Sequence, residues 1–171
     1  MGVFYEYYRA ADRAAAIVRP EHSRESADAS RGVPEFDVVV TKGIDSEVVL
    51  GQLIAFAGHV DYRLGLAETV VLYPPPEGAP RSDEEWDALP EGSPYLEGPG
   101  IMELSAKARD MLADVDDARL PTLAEQWAAI EEFSHFTDDD DGYMLSLTRD
   151  LVDLARRARE NDQLLYCWFC L

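Results

Sequence analysis

The chain has 171 residues and carries 34 acidic against 15 basic side chains, a net charge of −19; that is length for one domain burying about two-thirds of its unfolded surface without disulfides or metal. Such a field repels nucleic acid phosphates and anionic lipid, and no local basic patch overrides it, so both are excluded as ligands and a basic partner protein is favoured. No apolar run approaches the ~20 residues of a membrane span, and the opening Met1-Gly2-Val3-Phe4-Tyr5-Glu6 has neither a signal peptide's n- and h-regions nor the Ser or Thr of a myristoylation site, so the cytoplasm is the expected compartment.

Along the chain, Val3 to Tyr8 reads as a strand with Val3, Tyr5 and Tyr7 on one face and Phe4, Glu6 and Tyr8 on the other. A short Ala-rich helix runs from Ala10 to Arg19 and stops at Pro20. The polar, Ser-rich stretch from Glu21 to Gly32 is expected to be a mobile surface loop. Phe36 to Thr41 is β-rich, and Asp45 then caps a helix that Gly58 ends, with Val49, Leu53 and Phe56 on one face and little polar surface elsewhere. Ala67 to Tyr73 is the next strand. Residues 74–100 break the composition: they hold seven of the ten prolines, and Asp83, Glu84, Glu85 and Asp87 surround Trp86. An irregular excursion of this length is a lid or partner-binding loop, or a surface connection whose Trp86 docks on its own core.

From Ser105, an N-cap, Ala108, Met111, Leu112 and Val115 recur at helical spacing, and Thr122-Leu123-Ala124-Glu125 has the form of a capping box opening a second helix through Phe133. The last helix buries Leu147, Leu151, Leu154, Ala155 and Ala158 and shows Asp150, Asp153, Arg156, Arg157 and Glu160 to water. After a polar turn, Leu164 to Leu171 has no charge and no alternation, so neither face suits water and this strand belongs in the middle of the fold.

No constellation is diagnostic of chemistry. Placing Gly142 at the sixth position of a calcium loop aligns Asp139 and Asp141 with ligand positions but leaves Thr137 and Thr148 where carboxylates are needed; the four aspartates Asp138 to Asp141 read instead as dipole partners of the following helix. Glu132-x-x-His135 is half of a carboxylate-bridged di-iron signature, without its second half. Cys167-Trp168-Phe169-Cys170 has redox spacing, but in a strand these positions point to opposite faces, so the thiols read as packing. No metal or cofactor is expected.

The second half is similar to the YfbM-like family of small bacterial proteins, in the helix opened at Leu104-Ser105, the hairpin through Leu120 to Phe133, and Leu151-Val152-Asp153-Leu154-Ala155-Arg156-Arg157 leading into an apolar final strand. The resemblance implies an α+β fold and no functional residues. The Arg-over-Lys bias and abundant Ala agree with a bacterial source.

These readings combine into a single α+β domain over residues 1–171. Its small mixed sheet of about four strands (3–8, 36–41, 67–73, 164–171) has the last one central, and helices over 45–57, 105–117, 123–134 and 143–160 cover it. The function read from charge and elimination is a non-catalytic acidic cytosolic module that binds another protein. The competing class is an enzyme or small-ligand binder with a pocket between sheet and loop lined by Tyr5, Tyr7, Trp86 and Tyr95, and His59 or His135 as acid/base. A lesser alternative is an acidic nucleic-acid mimic.

Overall fold

A computed structural model of the chain describes residues 3–134 and 142–170. Strands β1 (Phe4–Ala10), β2 (Val38–Lys42), β3 (Val70–Tyr73), β4 (Gly100–Glu103) and β5 (Leu164–Cys170) form one sheet in the order β2-β1-β5-β4-β3. The helices are α1 (Arg13–Ala16), α2 (Val49–Gly58), α3 (Asp83–Asp87), α4 (Pro94–Glu97), α5 (Ala106–Ala113), α6 (Leu120–Ala128) and α7 (Tyr143–Glu160). This is an α+β fold with the uncharged final strand in the middle.

The alternation of β1 and β5 sorts their side chains between two cores. Tyr7 lies opposite Cys167, and both belong, with Leu165, to the larger core under α2, α5, α6 and α7. Tyr8 lies opposite Tyr166 and Glu6 opposite Trp168. Tyr8, Tyr166, Trp168 and Ile101 make the smaller core on the other face, closed by Ala15, Ala16, Ile17 and Phe36. The five apolar α7 positions expected to face inward are all buried. Ser105 caps α5 by accepting from the Ala108 N–H at 3.2 Å.

Three expectations are corrected. All four strand pairings are antiparallel, not mixed. A parallel pair arises when a crossover joins neighbouring strands. Here the connection through α2 joins β2 and β3, the two opposite edges, and β4 and β5 are separated by three helices, enough chain to return in either direction. Secondly, β4 is a fifth strand, beginning at the last residue of the Pro-rich excursion. It starts at Gly100 because the Phe169 ring covers that position: a Cβ there would sit 2.2 Å from Cζ of Phe169. Thirdly, α6 begins at Leu120, with Pro121 in its first turn and no side-chain cap, so Thr122 is already inside the helix. Proline's fixed φ and missing N–H suit the first turn, and this outweighs the Thr122/Glu125 pattern.

Residues 21–32, expected as a mobile loop, are anchored on the second face by a buried arginine. Arg24 is 0% exposed. Its guanidinium donates to the carbonyls of Val18 at 2.8 Å and His22 at 3.1 Å, and to that of Arg19. Its plane lies 5.0 Å from the Phe36 ring centroid and 5.7 Å from that of Tyr8. The buried Glu6 carboxylate accepts from Ser23 Oγ at 2.7 Å and from the backbone N–H groups of Arg24 and Glu25, and Trp168 Nε1 donates to the Pro20 carbonyl at 2.8 Å. Short turns replace a second helix layer here, and their carbonyls need donors that water cannot supply.

Arg24→Met keeps the apolar stem and removes the donors. With a desolvated carbonyl costing about 1–3 kcal/mol when left unpaired, the variant is expected to lose at least about 3 kcal/mol in a urea titration; an unchanged midpoint would show that solvent serves those carbonyls.

Candidate functional site

The expected pocket residues do not converge. Tyr7 is completely buried, and its hydroxyl donates to the Ile44 carbonyl at 2.7 Å. Tyr5 packs 6.0 Å from Phe169 on the helix face. Tyr95 donates its hydroxyl proton to the Pro75 carbonyl at 2.7 Å, across the Cα of Gly78, where a Cβ would meet that oxygen at 2.4 Å. Trp86 is on α3 and 41% exposed, so it does not dock on the core. His135 and the four aspartates lie outside the described residues, which also leaves the Glu132/His135 spacing without a geometry.

His59 occupies the C-cap of α2 in the left-handed region, φ 52°. Gly58, expected to make that turn, is the last helical residue. Its missing Cβ admits Met111 of α5, whose Cε would lie 2.5 Å from it. The imidazole is exposed at a cleft of about 320 Å³ shared with Phe56, Arg119, Thr122 and Gln126. Arg119 donates to the Phe56 and Ala57 carbonyls at 3.1 and 3.2 Å, so the cation beside His59 is used to close the helix end.

Chemistry at the cysteines is closed off in the way their spacing implies. Cys167 is buried in the larger core, while Cys170 packs against the smaller one, so the two thiols lie on opposite faces and form no disulfide. Burial pushes the Cys167 thiol well above the usual range, against the lowering influence of the neighbouring Tyr7 hydroxyl. A thiol in that state is a poor nucleophile. Among the described residues, no group of three or more His, Cys, Asp or Glu is placed to hold a metal ion.

Two further clefts flank the start of β2. The larger, about 760 Å³, lies between α1 and residues 27–37 and is walled by small apolar side chains, with Arg9, Asp37 and Gln163 at its polar end. Arg9 joins the other two. Arg9 Nε donates to Asp37 at 2.7 Å and Arg9 Nη1 to Gln163 at 2.8 Å, and Arg157 holds both Asp37 oxygens, at 2.7 and 2.9 Å. The other, about 410 Å³, runs between β2 and α7 and is lined by Val38, Val39, Val40, Tyr143, Asp150 and Asp153 among others.

The excursion between β3 and β4 is the least enclosed part. Ser82 opens α3 by accepting from the Glu85 N–H at 3.3 Å, and Glu85 reaches back to the Arg81 N–H at 2.6 Å. This reciprocal cap is written in the sequence as Ser82-x-x-Glu85, the same form misread at Thr122. It stiffens a helix on which Asp83, Glu84, Trp86 and Asp87 are all exposed. Two sets of apolar side chains outside it are also exposed: Leu96, and Val70 and Val71 on edge strand β3.

Two solution properties follow. In a C170S variant, Cys167 is expected to stay unreactive toward a disulfide-exchange reagent at mildly alkaline pH until the chain is unfolded by urea, and rapid native-state labelling would contradict the closed core. The Arg157 guanidinium, with Arg9, holds the Asp37 carboxyl below the usual carboxylate range. Its stabilisation is therefore complete above the unfolded value of about 3.9 and is lost as pH falls through the lower folded value. Asp37→Asn should lower stability at neutral pH and flatten its acid-side dependence, measured by thermal melts across that range.

No protein-family model, no curated protein and no solved structure matches this chain.

Proposed function

We propose that the protein is a non-catalytic module of the bacterial cytosol that binds a basic partner protein, with residues 74–99 as its docking element. The observation that carries this reading is Trp86. Of the three tryptophans, Trp127 and Trp168 are 0% and 6% exposed, whereas Trp86 is 41% exposed on a capped helix among Asp83, Glu84, Glu85 and Asp87. An ordered indole left in water is a typical anchor of an interface. Four carboxylates around it, in no ion pair among the described residues, set the sign of what it meets and the rate at which that partner arrives. No helix of the described residues is long and apolar enough to cross a membrane.

The small-ligand reading has the 760 Å³ cleft in its favour, since that volume is ordinary for ligand sites. It is second because Arg9, Asp37 and Gln163 at that cleft are already engaged with one another or with Arg157.

A labelled peptide of mixed arginine and leucine, titrated with the full chain, is expected to bind at low salt, to weaken steeply as salt is added, and to quench the exposed indole. Trp86→Ala should weaken it by about tenfold or more while moving the melting temperature by no more than about 2 °C, because the ring is outside both cores. Undiminished binding by this variant, or equal binding of an acidic peptide, would overturn the proposal.

A further inference from the structure

We infer that the open edge of β2 is a strand-addition site for an extended basic segment of another protein. The site lies at the opposite edge of the sheet from β3 and its excursion; it shares with the Trp86 reading only the sign of the partner's charge and does not depend on it.

Among the described residues β2 pairs with β1 alone, so one side of its backbone has no strand partner there. Edge strands are usually blunted by proline, a bulge or inward charge. Here the edge is Val38-Val39-Val40, half-buried, without a bulge in its register to β1 and with a charge only at its end, Lys42. Three valines in sequence form a good template for a strand.

The groove above that edge supplies the selectivity. Tyr143, Ser146, Asp150, Asp153 and Arg157 recur along α7 at intervals of three and four residues, so they form one stripe, and all of them line the groove beside Val38–Val40. Arg157 at one end is held bidentately by Asp37. Asp153 touches Arg156 at 3.0 Å, and Asp150 makes no ion pair among the described residues. Glu25, whose N–H is bound by Glu6 on the other face of the sheet, also lines the groove. An added strand thus has Glu25 as well as Asp150 and Asp153 among the residues around it.

The spacing fits. Asp150 and Asp153 are about 4.5 Å apart along the helix axis, and side chains on one face of a strand recur every ~6.7 Å; the flexible stems of Lys or Arg take up a difference of ~2 Å. Backbone hydrogen bonds to β2 then give affinity, and basic residues at alternate positions give the register. A second copy of this chain is disfavoured as occupant, because each carries −19 and would bring the same carboxylates to the shared edge.

The test uses the full chain and a labelled, end-blocked hexapeptide of alternating arginine and valine, followed by fluorescence anisotropy. It is expected to bind, with Asp150→Lys weakening it about tenfold or more at unchanged melting temperature. Two analogues, N-methylated at the arginines or at the valines, separate strand addition from charge adhesion. A strand presents alternate N–H groups to each side, so one analogue should lose binding by about tenfold and the other keep it. Amide exchange at Val38 to Thr41 should slow in the complex. Equal binding of both analogues with the parent, protection at residues 83–87 in place of β2, or a chain that is already a dimer and loses that state on Asp150→Lys, would each overturn the inference.

Discussion

The fold depends on hiding a strand that has no wet side. β5 carries no charge from Leu164 to Cys170, so it must have a strand on each edge and a core on each face. The helices are enough for one face only. The other is closed by a four-residue helix and a run of turns, and turns bring carbonyls that lack the partners a helix would give them. Arg24 resolves this conflict because one guanidinium offers five donors from a single point. Its stem and plane lie against Phe36 and Tyr8, so the residue that satisfies the backbone also fills the smaller core. A buried charge of this kind is costly unless paired, and Glu6, whose carboxylate takes the Arg24 N–H, lies close by in the same layer.

The same logic distributes the surface charge. Most arginines are engaged: Arg9 and Arg157 with Asp37, Arg13 with Glu103, Arg156 with Asp117 and Asp153, Arg159 with Asp114, and Arg119 with the end of α2. Arg13 and Glu103 are also a device of the second face, for the buried Glu103 carboxylate joins Tyr166, whose hydroxyl burial pushes up to about 12. With the cations spent on structure, the acidic excess is not a uniform coat. Among the described residues, carboxylates in no ion pair include the four of α3 and Asp150 of α7, the last with Arg157 as a counter-charge along the same stripe.

Much of this was legible in the residues. A run with no charge and no alternation has to be central whatever surrounds it, and the period of α7 names its buried side chains directly. The two faces of β1 followed from strict alternation, with Glu6 betraying nothing because its partners come from a loop. What was not legible depended on distant chain. Arg24 looks like any surface arginine in a Ser-rich stretch, since its acceptors are carbonyls whose positions exist only after residues 16–22 have turned. Strand β4 is four residues that begin with glycine, and the glycine is there for Phe169, nearly seventy residues on. The aromatic pocket failed for a related reason: Tyr5 and Tyr7 share one face of β1 and are packed into the larger core, while Tyr95 lies on a loop that satisfies itself through Pro75, so the three have no common concavity. Cys167 and Cys170 were separable in advance because that argument needs only the strand's period.

The two surfaces left with unpaired acid differ in what they can recognise. On α3 the backbone is consumed by the helix, so the proposed partner would meet only side chains: an indole and a cloud of carboxylates. Such a contact would be fast, sensitive to salt and tolerant of sequence. At β2 the backbone itself is on offer, fixed by the sheet and flanked by α7. Directional hydrogen bonds there demand an extended partner, and a slip of one residue would turn its basic side chains away from Asp150 and Asp153. Charge alone therefore gives this protein attraction, and it is the rigid edge of the sheet, held in place by the buried final strand, that would turn attraction into register.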